Sequence, residues 1–323
     1  NLNEGFVLTN FDCSFNSLTS LDINKINAIN FYCNNNTLSQ LNIDEFSHIN
    51  NLNISNNQLT SFVSQTLKKV DPNLLAYNEA LNIEFGLKCD NNQLTHLDIS
   101  GTDFAQLNCS NNPLKTLDLN QTKVALLTAE NNNLEYLFIK NGIFNEIGIK
   151  NNPQLKFICT DDISPSWDPE STETNFIKGY LELIGQTNVN INSYCSFVPG
   201  GNFNTISGTV KFDENNNGCD TNDVAFENIK LKINDGTTTA ETFANKDGKF
   251  EFYTQTGNFT ISALPENPTL FNVSNSSFTV NFSDNNNNTS VNNICVSKTT
   301  ENNDLEVVIA PTTDARPGFE ATY

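Results

Sequence analysis

The sequence predicts a mainly β chain, in which a repeat solenoid with a helical C-terminal cap is followed by a β-sandwich. Three observations carry this reading. Seven copies of apolar-x-apolar-x-x-Asn end at Asn16, Asn36, Asn57, Asn92, Asn112, Asn132 and Asn152, spaced by 20 or 21 residues except for one gap of 35. That is the range of stacked units with one strand per coil. The periodicity stops near Asp162, where a helical pattern begins, and from Asn204 the chain reads strand-turn-strand with no period.

Within a coil, Leu107 and Cys109 alternate with Asn108 and Ser110, so the first pair points inward and the second outward. A second apolar pair, Leu117 and Leu119, follows about ten residues later and is expected to line the opposite wall. A coil cannot bury its apolar side alone, so neighbours must stack. The Asn that closes each first strand carries both donor and acceptor, which suits it to hold the turns of adjacent coils.

The next segment places Phe176, Ile177, Tyr180, Leu181 and Ile184 at helical spacing, with Gly185 as a stop. Residues 163–199 are therefore expected to cap the open end of the stack, after a solenoid over 1–162. Beyond it, Thr205–Phe212, Ile229–Ile233, Phe250–Thr254, Phe259–Ala263 and Phe278–Phe282 read as strands, and Asp247-Gly248 reads as a two-residue hairpin turn. These place a β-sandwich at 200–300. Residues 301–323, including Leu305-Glu-Val-Val-Ile309, read as a linker and the first strand of a further β-domain.

Composition bounds the partners. Seventeen Lys and Arg stand against 37 Asp and Glu, a net charge of −20, which argues against nucleic acid and anionic membrane surfaces. No apolar run approaches the length of a membrane span. The absence of Met suggests a mature or excised piece of a longer protein.

The segments Leu107-Asn-Cys-Ser-Asn-Asn-Pro-Leu114 and Leu87-Lys-Cys-Asp-Asn-Asn-Gln-Leu94 resemble leucine-rich repeats, in the Cys- and Asn-rich form of secreted surface proteins of Bacteroidetes. The segments Ser207–Asp213, Asn228–Ile233 and Lys246–Phe252 resemble transthyretin-like or Cna-B-like modules of the Ig-like sandwich class, which serve as spacers. The resemblance implies a secreted or outer-membrane cell-surface protein that meets type 9 secretion machinery in transit. It also implies adhesion or binding of an extracellular glycan or protein.

Cys13, Cys33, Cys89 and Cys109 occupy inward positions that Ile54, Ala129 and Ile149 fill elsewhere, which points to buried free thiols. Cys159 and Cys195 bracket the cap, and Cys219 and Cys295 bracket the sandwich, which suggests two disulfides in an exported protein.

If the first strands line a concave face, its outward side chains include Tyr32, Asn34, Asn53, Lys88, Asp90, Asn108 and Glu130. This polar surface suits a hydroxyl-rich ligand, and equally a surface that binds nothing. The residues between Phe62 and Leu87 exceed one coil, which marks either a binding insertion or a decayed coil. Asp213, Asn215, Asn217, the Cys219 carbonyl, Asp220 and Asp223 follow part of a calcium-loop pattern. Val224 stands where that pattern needs an acid, so a solvated Asn-rich turn is the rival reading. His48 and His96 belong to no catalytic set, and Asp12, Asp90 and Glu130 form no sheltered acid–base pair, so no enzyme is expected. The rival to adhesion is a structural stalk region whose activity lies in other domains.

Overall fold

Each apolar pair of the repeat becomes a strand, and the strands stack in parallel register. The computed structural model describes residues 7–23, 27–43, 48–63, 86–161, 163–164, 172–197 and 201–299. It is mainly β, with several sheets and one described α-helix. The expected insertion over 64–85, the turn-rich stretch 165–171 and the strand beyond residue 300 lie outside the described residues.

Strands Leu8–Asp12, Asn27–Tyr32, His48–Asn53, Gly86–Lys88, Phe104–Asn108, Val124–Thr128 and Glu146–Gly148 form one seven-stranded parallel sheet in chain order. The 35-residue gap leaves the ladder unbroken, because Leu52 pairs directly with Leu87. Inward rows of Phe31, Leu52, Leu87, Leu107 and Leu127, and of Cys33, Ile54, Cys89, Cys109 and Ala129, are buried in one core. The second apolar pairs form shorter parallel ladders, of which the longest joins Thr116–Asp118, Tyr136–Phe138, Phe157–Cys159 and Asn190–Asn192.

The Asn amides tie coil to coil. Asn112 donates from Nδ2 to the Cys109 and Ser110 carbonyls of its own coil (3.0 and 3.1 Å) and to the Cys89 carbonyl of the coil before (3.1 Å). Its Oδ1 accepts from the Leu94 amide at 2.9 Å. Asn36, Asn57 and Asn92 repeat this set, each reaching one coil back. The preceding residue takes a left-handed conformation at every turn, with φ between 54° and 61° at Asn35, Asn56, Asn91, Asn111, Asn131 and Asn151. Asn is the non-glycine residue that tolerates that region best. Phe15 alone departs from this choice, and it is exposed.

Cys33, Cys89 and Cys109 are buried free thiols, while Cys13, in the first described coil, is half-buried. Burial pushes the Cys33 and Cys109 thiols up to about 12, so they pack as small apolar groups.

The helix Glu173–Leu183 starts at the N-cap Thr172, whose side chain accepts from the Asn175 amide. It stops at Gly185, in the left-handed region at φ 76°. Ile177 and Leu181 are buried against the repeat core. The chain then returns as strand Asn190–Asn192, which adds in parallel beside Phe157–Cys159. The segment after the repeats thus extends the second ladder as well as packing a helix on its core.

The first residue of the helix is a buried carboxylate, which its helical spacing alone does not mark. Glu173 accepts from the Asn145 amide and Nδ2 (2.7 and 2.8 Å), the Thr160 hydroxyl (2.6 Å) and the Asp161 amide (3.2 Å). Burial raises its pKa, against the pull of these donors, and the nearby Asp161 charge adds to the rise.

Residues 201–299 build two further sheets around a shared core. The long strand Asn204–Asp213 is the axis of the first. Its first half pairs with Lys249–Thr254 and Thr289–Val291, and its second half with Val224–Ala225 and Ile294–Lys298. The second sheet runs Thr239–Phe243, Lys230–Asn234, Gly257–Leu264, Ser277–Phe282. Asp247-Gly248 is therefore not a hairpin turn between paired strands: the strands it links, Thr239–Phe243 and Lys249–Thr254, belong to different sheets. Glycine is needed there for another reason, since an added Cβ would lie 2.3 Å from the Val210 carbonyl oxygen.

Disulfides join Cys159 to Cys195 and Cys219 to Cys295. The first lies beside an aromatic cluster that joins the two parts of the chain. Tyr253 stacks obliquely on Phe203 and Phe157, with ring centres 4.5 and 5.2 Å apart, and Phe197 fills the space between them. Tyr194 donates its hydroxyl to Asp235 at 2.8 Å, and Thr242 donates to the Ile191 carbonyl at 3.0 Å.

Two outcomes test this account. Asn112→Ala is expected to lower unfolding stability by at least about 2 kcal/mol in denaturant titration, because it strands buried carbonyls and an amide. Asn16→Ala, at the exposed first copy, is expected to cost under about 1 kcal/mol, since water replaces its bonds. For Glu173, the folded pKa lies above the ordinary glutamate value, so the native state binds the extra proton. Its contribution is greatest below the unfolded pKa and is lost as pH rises through the folded one. The stability difference between wild type and Glu173→Gln, followed by urea unfolding from about pH 4 to about pH 8, is expected to move against wild type as pH rises.

Candidate functional site

The outer face of the seven-stranded sheet carries three aligned columns of side chains. The middle column is Asp12, Tyr32, Asn53, Lys88, Asn108, Thr128 and Gly148, and the registers place these residues side by side. Backbone bonds across the turns align Asn34, Ser55, Asp90, Ser110, Glu130 and Lys150 as a second column. A third column precedes the apolar pair of each coil: Asn10, Asn30, Asn51, Gly86, Gln106, Leu126 and Glu146. The motif imposes nothing on those positions, so the repeat pattern gave no reason to select them. Period-two alternation extended two residues upstream would have found them.

Two depressions mark this face. One, of about 220 Å³, lies around Gly86 and is lined by Tyr32, Asn51, Asn53, Lys88 and Asn108 among others. The second, of about 460 Å³, lies around Gly148 between Leu126, Glu130, Glu146 and Phe176 of the helix. Leu126 and Thr128 line both, so the two are continuous. Each depression sits where a column carries glycine.

Of the seven face residues selected from sequence, Tyr32, Asn53, Lys88 and Asn108 meet in the Gly86 groove. Glu130 lines the other depression. Asn34 lines neither, and Asp90 turns away to accept from Asn91 Nδ2 at 2.6 Å.

The groove amides are oriented by their own coils. Asn53 Oδ1 accepts from the Ser55 amide and hydroxyl (3.1 and 2.7 Å), and Asn108 Oδ1 accepts from the Ser110 amide (3.1 Å). A backbone amide can only donate, so the carbonyl ends are held by the turn and the NH₂ groups remain for the groove. Asn51 is oriented the other way. It donates to Asn30 Oδ1 at 2.9 Å, Asn30 donates to Asn10 Oδ1 at 2.9 Å, and this file of amides leaves Asn51 Oδ1 facing Gly86. Lys88 is exposed and forms no ion pair among the described residues.

Comparison with models of known protein families finds no match, and a search of curated proteins finds none either. The reading of this face therefore rests on its geometry.

The residues of the calcium-loop pattern close turns of their own. Both Asp213 oxygens accept from the loop's own amides, Oδ1 from Asn217 at 3.1 Å and Oδ2 from Gly218 at 2.8 Å. Asn215 Oδ1 accepts from the Asn217 amide at 3.0 Å. Asp223 accepts from the Asp220 amide at 2.6 Å, and Asp220 accepts from Asn222 at 2.6 Å. The Lys211 ammonium donates to the Asp220 carbonyl, and Cys219 is held in its disulfide. No three His, Cys, Asp or Glu side chains converge as a metal site among the described residues. These bonds are common to a calcium loop and to a solvated Asn-rich turn, since a carboxylate or amide oxygen that accepts from one backbone amide keeps a further lone pair. His96 is exposed and His48 half-buried, and neither lines the groove.

A solvated turn is expected to give the same thermal-unfolding midpoint in millimolar calcium and in chelator. A rise with calcium, abolished by Asp213→Asn, would show that Asp220 and Asp223 swing round to complete a shell.

Proposed function

We propose that this chain is a non-catalytic, exported surface protein that binds an extracellular ligand through the outer face of its seven-stranded sheet, in an adhesion role. The observation that carries this is the Gly86 groove. Most polar groups of the repeat serve the scaffold, whereas Lys88, Asn51 Oδ1 and the NH₂ groups of Asn53 and Asn108 have no partner among the described residues. A concave site with a few convergent polar groups is the default place for recognition.

In this reading the parallel ladders form a leucine-rich-repeat solenoid with a helical cap, and residues 201–299 form an Ig-like, transthyretin-like sandwich. Twenty- and 21-residue spacing with in-register strands supports the first, and two sheets sharing one core support the second. The sandwich acts as a spacer. Two disulfides suit an oxidising compartment outside the cell, and no described helix is long and apolar enough to cross a membrane. Type 9 secretion and an outer-membrane address belong to the same proposal.

The rival role is a stalk, and the aromatic joint favours it, since Tyr253, Phe203 and Phe197 couple the two parts of the chain as a rigid spacer would require. Glycan and cell-surface protein arrays separate the two. The intact chain is expected to bind selected ligands, and Lys88→Ala with Tyr32→Ala is expected to remove that signal with the circular dichroism spectrum unchanged. Complete silence on both arrays would favour the stalk.

A further inference from the structure

The Gly86 groove offers more donors than acceptors. Three nitrogen groups point out from the scaffold: the Lys88 ammonium and the NH₂ groups of Asn53 and Asn108. Against them stands Asn51 Oδ1, at the end of its amide file. A ligand that satisfies this set must be rich in acceptors and carry a hydroxyl to donate to Asn51. It must also offer a negative charge to Lys88.

From these groups we propose that the groove takes an acidic oligosaccharide, with a sugar carboxylate on Lys88 and ring hydroxyls on the amides. This rests on the reading of the outer face as the binding surface. Charge-assisted pairing of ammonium with carboxylate is the strongest single contact available there. Hydroxyls both donate and accept, which matches amides presented in two orientations. The half-buried Tyr32 supplies the apolar wall against which the carbon face of a sugar packs.

The protein's net charge of −20 does not forbid an anion at this place. Glu130 and Glu146 lie near Gly148, three strands beyond Lys88, or about 14 Å at ~4.8 Å per strand. That exceeds the screening length of about 8 Å at physiological salt. Asp90, two residues after Lys88, is turned to Asn91. The acidic background slows the approach of any anion, and Lys88 gives the groove a local exception.

Room for a ring depends on Gly86. An added Cβ would lie 3.2 Å from Asn51 Oδ1, close enough to crowd that acceptor and shallow the groove without touching the core. Gly86 does not take the left-handed conformation, so alanine is tolerated by the chain itself.

The test uses an oligogalacturonate, the same oligosaccharide with its carboxyl groups reduced to alcohols, and poly-glutamate, titrated onto the whole chain by calorimetry at two salt concentrations. The uronate is expected to bind about tenfold more tightly than its neutral counterpart, and the preference is expected to shrink with salt. Lys88→Gln is expected to abolish that preference, Gly86→Ala to weaken both sugars, and Glu266→Gln, at an exposed position outside the repeat face, to change neither. Equal binding of the two sugars, an unchanged preference in Lys88→Gln, or tighter binding of poly-glutamate than of the uronate would overturn the proposal. If the array ligands still bind and Gly86→Ala removes them while the uronate is ignored, the acidic sugar is wrong and the face reading stands. Silence on the arrays and with all three probes removes both.

Discussion

A carboxamide is the side chain that can donate twice and accept at once from a single short stem, and the repeat region is organised around that property. At Asn112 the NH₂ group binds carbonyls of two successive coils while the oxygen holds an amide of the earlier coil. Aspartate would lose the donors, and serine lacks the reach and the second donor. Because each Asn reaches one coil back, the register of each strand is set relative to its predecessor. The inward rows of Leu and Cys and the outward columns follow from that register. So does the continuity of the ladder across the 35-residue gap, where Asn92 still donates to the Ile54 carbonyl at 3.0 Å.

A stack of this kind has ends, and the C-terminal end is closed with more than apolar packing. The helix covers the core with Ile177 and Leu181, while its first residue, Glu173, gathers Asn145, Thr160 and Asp161. Burying that carboxylate costs desolvation, which its four donors offset only in part, so its pKa stays raised. The outer side of the second ladder is covered in turn by Phe197, Phe203 and Tyr253, with Cys159 and Cys195 bonded alongside. The two parts of the chain are thus joined through aromatic faces, a disulfide and the Tyr194–Asp235 hydrogen bond. In Asp235, backbone and side-chain donors outweigh desolvation and lower the carboxyl to about 2, which keeps that acceptor charged.

Much of the scaffold was legible in sequence because its rules are local. Alternation distinguishes Leu107 from Asn108, the recurrent Asn marks the turn, and the interchange of Cys with Ile and Ala at one position marks a core site. The candidate site was legible only in part. Tyr32, Asn53, Lys88 and Asn108 follow from alternation, but Asn51 and Gly86 lie upstream of the motif, in a column it does not constrain. Asn34 and Asp90 obey the same alternation and still miss the groove. The calcium-loop spacing puts Asp213 and Asn215 in one loop, where their oxygens also close local turns. Spacing does not reveal whether an oxygen faces a loop's own amides or a common centre.

The sequence by itself determined the repeat, its period, the inward and outward sense of each strand residue and the place where the array ends. Strand sense and turn position are properties of windows shorter than one coil, and the period and its end need only successive coils to be compared. Tertiary structure decided which outward groups remain unpaired, since Asn53 and Asn108 are oriented by Ser55 and Ser110 and Asn51 by Asn30 of the preceding coil. It also decided that Gly86 opens a groove, that Asp247-Gly248 passes between sheets, and that Tyr253 seals the joint with Phe157. Apart from the local Asn53–Ser55 and Asn108–Ser110 bonds, each of these depends on atoms brought together from distant parts of the chain, and no local period records that proximity.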